Sequence, residues 1–537
     1  MPTADEAQVF TDYFAVEAAP IWKALALARW NMATTGKSRY KEELVALRKR
    51  EHELYEDEGD WEQVQAFYAA RHGFDNPVLV RQIEVVHRTF LNNQSSAEEN
   101  AALAALEADV QELFYNHRAT VNGRTVSDNE IIAILQNETD EGVRRAAWEG
   151  SKEVGARAAQ QIRELAHRRN AIAQRLGFRD HYAFALARQE IDEVTLFTLF
   201  EQLAEATTPA FTQAKEELDA RLRARFGLTD RPELQPWHYA DPFFQEVPPV
   251  YDADLNEMFA GVDVAALSAK AYEGMGLDVA DILERSDLYE RERKNQHGFC
   301  IRIDREADTR ILCNLRPDIR WMTTQMHELG HAVYNKYLPR ELPFLLRTPA
   351  HTNSTEAIAM LMGRLTRNPE WLVQVAGRDA EAVGRVEAEL ARETAVGQLI
   401  FVRWVLVMLH FEQALYADPD RQDLNELWWE LVQRYQQVTP PAGRDAPDWA
   451  AKYHIALAPV YYHNYVLGEL TASQLERWIG RTVGGVVDNP AAGALLVDRF
   501  FAHGARYMWD ELVEVATGEP LNPDYFVAQY VGGPAPQ

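Results

Sequence analysis

The chain has 537 residues, 47% apolar and 10% aromatic, which suffices for a large buried core. Its formal charge of −27 argues against nucleic acid as a partner, because phosphate binding needs clustered Lys and Arg. No apolar run approaches the ~18 residues of a membrane span, and the Met1-Pro2-Thr3-Ala4-Asp5-Glu6 start has no signal-like region, so the expected location is cytoplasmic, with no membrane contact.

Composition and helical periodicity predict helices over 5–34, 39–55, 59–71, 78–91 and 97–121, broken by Gly, Pro or Asn. Ser127, three residues before Glu130, forms a helix-opening pair. Thr139-Asp140-Glu141 opens another helix, which runs to about Leu176 and stops at Gly177. Pro and polar residues at 227–236 and 241–251 predict loops. From His297 to Leu315 apolar and polar residues alternate on both sides of a polar turn, the pattern of a β-hairpin. An edge strand there could bind an extended peptide as an added strand; a plain structural hairpin fits the pattern equally well. The two cysteines, Cys300 and Cys313, both lie in this segment and could pair, although a chain of this size needs no staple.

The next predicted helix, 319–337, carries His327-Glu328-Leu329-Gly330-His331. Residues i and i+4 lie on one helical face, so both imidazoles can reach one zinc ion, with Glu328 beside it as a general base. Ile319, Met322, Met326, Val333 and Tyr337 give the helix an apolar face. Histidines on such a face need polar partners; a metal supplies one, and two satisfied core histidines are the plainer alternative. Glu356, in the following helical stretch, is a candidate third ligand or else a surface carboxylate.

Helices are predicted over 355–367, 379–417 and 423–436, then a loop at Pro440-Pro441. The segments Trp449–Ile455 and Tyr461–Tyr465 follow, then a tail with helices between Trp509 and Tyr530 and a loose end at Gly532–Gln537. Tyr461, Tyr462 and Tyr465 could be core aromatics, but beside His454, His463 and Asn464 they are polar for a plain core. Lys452 is exposed by default, His351 and His463 read as structural, and Trp428-Trp429 as packing. With one His-Glu-x-x-His motif and no internal repeat, 1–537 is expected to be a single catalytic unit, with a lid-like 1–125 and a core 126–537.

Asn425 through Trp428-Trp429 and Tyr435, Pro440-Pro441, and Ala451-Lys452-Tyr453-His454-Ile455 occur in this order. Together with the motif helix, the hairpin with His297 and Asp308, and Glu356-Ala357-Ile358, they make the chain resemble the angiotensin-converting-enzyme-like dipeptidyl carboxypeptidases, which are gluzincin zinc peptidases, as a bacterial-type single-domain relative. The likeness is strong over 290–530 and weaker upstream, at Arg144–Gly150 and Ala171–Asp180. It implies a mainly α fold: a helical ellipsoid divided by a deep active-site cleft, with one small hairpin beside the zinc helix.

The resemblance further implies one Zn2+ per chain on His327, His331 and Glu356, with Glu328 as catalytic base. His297, next to Gly298, and His454 would contact substrate carbonyls; Lys452 would receive the terminal carboxylate; Tyr462 and Tyr465 would serve the carboxylate and the oxyanion. Three departures qualify the match. One extra residue follows His454, so Tyr461 could stand in for Tyr462; Asn464 replaces an arginine tied to chloride activation; and Met360 replaces an aspartate that supports a zinc histidine, a role open to Asn353, Asn335 or a backbone carbonyl. The expected activity is hydrolysis of short peptides with release of C-terminal dipeptides. The alternatives are an oligoendopeptidase with no demand for a free carboxylate, and a non-catalytic zinc- or peptide-binding relative, against which the intact Glu328 argues. Nothing in the sequence sets the oligomeric state.

Overall fold

The computed structural model describes residues 2–228, 233–251 and 254–532. Residues 229–232 of the loop predicted at 227–236, and 533–537 of the loose end, lie outside the described residues. Helices make up most of the chain, with two small antiparallel two-stranded sheets. Two compact units emerge: residues 1–94, 254–387 and 467–526 form the first, and 95–253, 388–466 and 527–537 the second. The predicted lid-like stretch 1–125 is therefore shared between them.

In the first unit, helix α1 (Ala4–Thr35) opens on a Thr3–Glu6 capping box and ends at Gly36 in the left-handed conformation. Its second half braces the predicted hairpin, β3 (Phe299–Arg302) and β4 (Thr309–Leu312). The Arg305 guanidinium lies over the Trp22 ring at 4.4 Å and the Phe344 ring at 5.1 Å, while Lys23 pairs with Asp304 at 3.3 Å. Cys300 pairs with Ile311 across the ladder, and both cysteines are free thiols. Asp318 caps the motif helix α4 (Ile319–Lys336), whose apolar face, Met322, Met326, Leu329 and Val333, is fully buried. The next helix, α5 (Thr352–Arg364), packs closely against α4 because Gly330 has no side chain: a Cβ there would lie 2.7 Å from the Ala359 Cα. His351 caps α5, its Nδ1 accepting the Asn353 N–H at 3.1 Å, which accounts for that histidine structurally.

The second unit contains a hairpin the periodicity missed, β1 (Ala119–Val121) with β2 (Arg124–Val126). The helix predicted over 97–121 stops at Asn116, and Asn122-Gly123, with φ of +50° and +77°, makes the two-residue turn. Helix α2 (Glu141–Arg175) buries Arg144, whose guanidinium donates to the Trp237, Leu135, Glu138 and Tyr239 carbonyls. Most of the long apolar helix α6 (Ala380–Ala417) lies in this unit. It is long and apolar enough to cross a membrane, but Trp404 through Leu409 and Phe411 are buried core residues. Arg403 on the same helix is also buried, donating to the Ala204 carbonyl and the Thr207 hydroxyl. This is the burial pattern of a core helix.

Candidate active site

In the first unit, α4 and α5 bring His327, His331 and Glu356 together. The two Nε2 atoms are 3.2 Å apart, and Glu356 Oε2 lies 3.5 Å from His327 Nε2 and 3.8 Å from His331 Nε2. Three donors at about 2.0–2.2 Å from a tetrahedral zinc ion stand about 3.3–3.6 Å apart, close to the edges of this triangle, so its residues fit the ion. Burial pushes His327 down to about 4, and burial together with His327 pushes His331 down to about 3, so both imidazoles are neutral and offer lone pairs at neutral pH. The Thr355 hydroxyl lies 2.8 Å from His331 Nδ1, and in the tautomer whose Nδ1–H donates to it, Nε2 carries the lone pair a metal needs. The position is adjacent to Glu356, so one helical turn carries both a ligand and the support of another. Of the candidates named from sequence, Asn335 donates to the His331 carbonyl at 2.9 Å, and Asn353 accepts from Ser354.

Glu328 is 7% exposed and lies beside this triangle. Burial and then the charge of Glu356 push its carboxyl up to about 8, while the Cys300 N–H donates to it and opposes the rise. Burial and then Glu469 push Glu356 up to about 7. Among the described residues no Lys or Arg comes within ion-pair distance of either carboxylate. A buried carboxyl, a half-buried one and two neutral imidazoles thus converge without a protein cation, a donor set suited to a divalent metal. A cavity of about 370 Å³ opens here, lined by Gly298, Phe299, Cys300 and Glu328 among others. Gly298 forms a closely packed part of this wall: a Cβ there would meet Thr324 Cγ2 at 2.7 Å and lie 3.6 Å from Glu328 Oε1. His297 is exposed and does not line this cavity; its backbone N–H donates to Asn295 Oδ1 at 2.9 Å.

The remaining candidates cluster in the second unit. Contrary to the default for lysine, Lys452 is only 7% exposed. Its Nζ donates to Gln245 Oε1 at 2.7 Å and lies 4.9, 5.2 and 5.5 Å from the rings of Trp404, Phe243 and Tyr462. Burial lowers Lys452 to about 8, opposed by Asp241 and Glu246. Asp241 also shapes this corner: its carboxylate accepts the N–H groups of Phe243, Gln245 and Glu246, folding the loop that delivers Gln245 to the lysine. Gln245 was not singled out from sequence, and only the Pro and polar character of 241–251 hinted at this loop. A buried ammonium whose hydrogen bond goes to an amide and whose surroundings are aromatic suits a ligand carboxylate.

The His454 ring lies 4.9 Å from that of Tyr462, which lies 5.7 Å from Tyr465, and Tyr465 is 5.3 Å from Tyr461. Burial and then Lys452 lower His454 to about 4, so it is a neutral donor at physiological pH. Burial pushes the Tyr462 phenol upward, keeping it protonated and able to donate. Asn464 donates to Gln189 Oε1 at 2.7 Å, an amide pair where the resemblance has a cation, and His463 faces the same oxygen at 3.1 Å. Trp429 donates to Asp448 at 3.2 Å and packs near Trp148, as a structural residue.

Comparison with known proteins extends the likeness along the chain. The family profile described as angiotensin-converting enzyme matches residues 1–233 and 296–527. An angiotensin-converting enzyme of Theromyzon tessulatum is 19% identical over 502 residues, 85% of this chain and 80% of that protein. Thermostable carboxypeptidase 1 of Thermus thermophilus is 28% identical over 346 residues, 60% of this chain and 62% of the relative. The angiotensin-converting enzyme of Mus musculus is 24% identical over 206 residues, 36% of this chain; the matched stretch is only 16% of the mouse protein's length.

Proposed function

Because this chain belongs to the angiotensin-converting enzyme family of peptidases, we propose that it hydrolyses short peptides with zinc and releases dipeptides from their C-termini. The observation that carries the reading is the triangle of His327, His331 and Glu356 donors with the buried Glu328 carboxyl alongside. A zinc ion held by those three residues supplies Lewis acidity, which polarises an amide carbonyl and acidifies water.

The chain's own groups do the rest. Glu328, in its carboxylate form, takes a proton from the attacking water on a carboxyl oxygen and delivers it to the leaving amine nitrogen. The Cys300 N–H holds that carboxyl in place. The neutral His454 and the phenol of Tyr465 act as donors to developing negative charge on the carbonyl oxygen; losing one such donor costs about 10²–10³-fold in turnover. His297 and Gly298 serve the substrate backbone beside β3. Lys452, assisted by Gln245 and Tyr462, receives the carboxylate two residues beyond the cleaved bond, with Tyr461 packed behind Tyr465. The name of the Thermus thermophilus relative, a carboxypeptidase, accords with attack from the C-terminal end.

The test is a cleavage survey by mass spectrometry, with each peptide offered as free acid and as C-terminal amide. Dipeptides leaving free acids, and amidation slowing the reaction at least about tenfold, are expected. Equal rates and equal cleavage positions for both forms would overturn the carboxylate-anchored reading.

A further inference from the structure

Val460 is the one β-branched residue among the described residues with φ in the left-handed region, at +54°. A branched Cβ is crowded there, and such a conformation persists only where the surroundings impose it. Two side chains do so. The Val460 N–H donates to Glu412 Oε1 at 2.8 Å, and the Val460 carbonyl accepts from Gln189 Nε2 at 3.1 Å. Both polar groups of the strained residue are thus taken by side chains far away in sequence: Glu412 from α6, and Gln189 from the end of helix α3 (His181–Arg188).

Gln189 reaches further. Its Oε1 accepts from Asn464 Nδ2 at 2.7 Å, so one amide ties the left-handed residue to the first turn of the helix His463–Val483. Tyr461 and Tyr462 lie between those two anchors, and Tyr465 follows within the same turn. Burial pushes Glu412 up to about 8, against the Val460 N–H, so at neutral pH it is largely a neutral acid that glutamine mimics closely.

We propose that Glu412 and Gln189 are positioning residues for the tyrosine cluster, holding Val460 in its left-handed conformation so that Tyr462 and Tyr465 stand where substrate and oxyanion need them. The inference rests on the peptidase reading above. Neither residue touches substrate or carries a proton in the reaction; a plain structural role for Glu412 would affect stability alone.

The experiment uses the full chain with four variants: Glu412→Leu, Glu412→Gln, Val460→Gly, and Glu412→Leu combined with Val460→Gly. With zinc-loaded protein and a free-acid tripeptide, Glu412→Leu should lower kcat about 10–100-fold, the usual cost of a small misplacement, with KM changed less than about threefold. Glu412→Gln should stay within about threefold of the parent. Glycine adopts the left-handed conformation without strain, so adding Val460→Gly to Glu412→Leu should restore kcat about tenfold. The melting temperature of the metal-free chain is the second readout: Glu412→Leu should cost less in the glycine background than in the parent. An inactive parent would sink the peptidase reading while leaving this coupling measurable. An active parent whose Glu412→Leu variant keeps its kcat, or melting effects that simply add, would overturn the clamp. Should Glu412→Leu fail to fold, Gln189→Leu replaces it with the same expected pattern.

Discussion

At the scale of single residues, the chemistry turns on buried groups whose charge states depart from the ordinary. Glu328 is a buried carboxyl beside another carboxylate, the setting that raises a general base toward neutrality. Glu328→Gln keeps the shape and leaves the three metal donors untouched. Its zinc content, measured by atomic emission, should match the parent, while hydrolysis falls by at least about 10²–10⁴-fold, the usual worth of such a base. Lys452 gives a prediction with a definite sign. Its ammonium form attracts a carboxylate, and burial lowers its pKa from 10.5 to about 8. The charge in the free chain is therefore lost as pH rises through about 8, so kcat/KM for free-acid peptides should fall between pH 7.5 and about 9.5 while amidated peptides show no such limb. The same shift acts on stability. The unfolded lysine binds a proton that the folded one releases between about 8 and 10.5, so burying Lys452 is destabilising below about 8 and becomes less so as pH rises.

At the scale of elements, the site depends on how closely two helices approach. Gly330 lies inside the motif but binds nothing; its role is to let α4 meet α5 at Ala359, three residues beyond Glu356. In Gly330→Ala the new Cβ would sit 2.7 Å from the Ala359 Cα, and backbone on both sides leaves little room to yield. The helices should part enough to spoil the donor triangle. Zinc affinity, measured by competition with a chelator, should drop at least about tenfold, with about 1–3 kcal/mol of stability lost to overpacking. Unchanged affinity would mean that the approach of the helices does not set the site. The hairpins teach the converse lesson. β3 and β4 were legible because alternation has a period of two on both sides of a polar turn. β1 and β2, at three residues each, are too short for a period, and Asn122-Gly123 was the signal that could have found them.

At the scale of the molecule, the zinc donors come from two helices joined by a loop, so metal binding should be worth stability as well as chemistry. Zinc at about 100–1,000 times its Kd should add about 2.7–4.1 kcal/mol to the folded state. In scanning calorimetry a melting transition should shift upward with zinc and return on chelation, and Glu356→Gln should blunt the shift. A zinc-independent transition would count against His327, His331 and Glu356 as a common site. The excess of acidic residues is spread over a chain in which buried cations such as Arg144, Arg403 and Lys452 each donate to an oxygen acceptor. The net charge thus reports on the surface, and it says little about the interior on which the proposed reaction depends.

What the sequence determined alone was whatever is local along the chain. The helical class follows from periodicity, the opening of α2 and its neighbour from capping residues, and the pairing of His327 with His331 from a four-residue spacing that places both on one face. The tertiary structure decided the meetings of residues far apart in sequence. Among these are Thr355 behind His331, Gln245 carried to a buried Lys452 by the Asp241 loop, and Glu412 and Gln189 closing on Val460. None of these leaves a period or a spacing in the sequence, because each arises from the packing of separate elements, in which side-chain volume and unsatisfied polar groups select the partners.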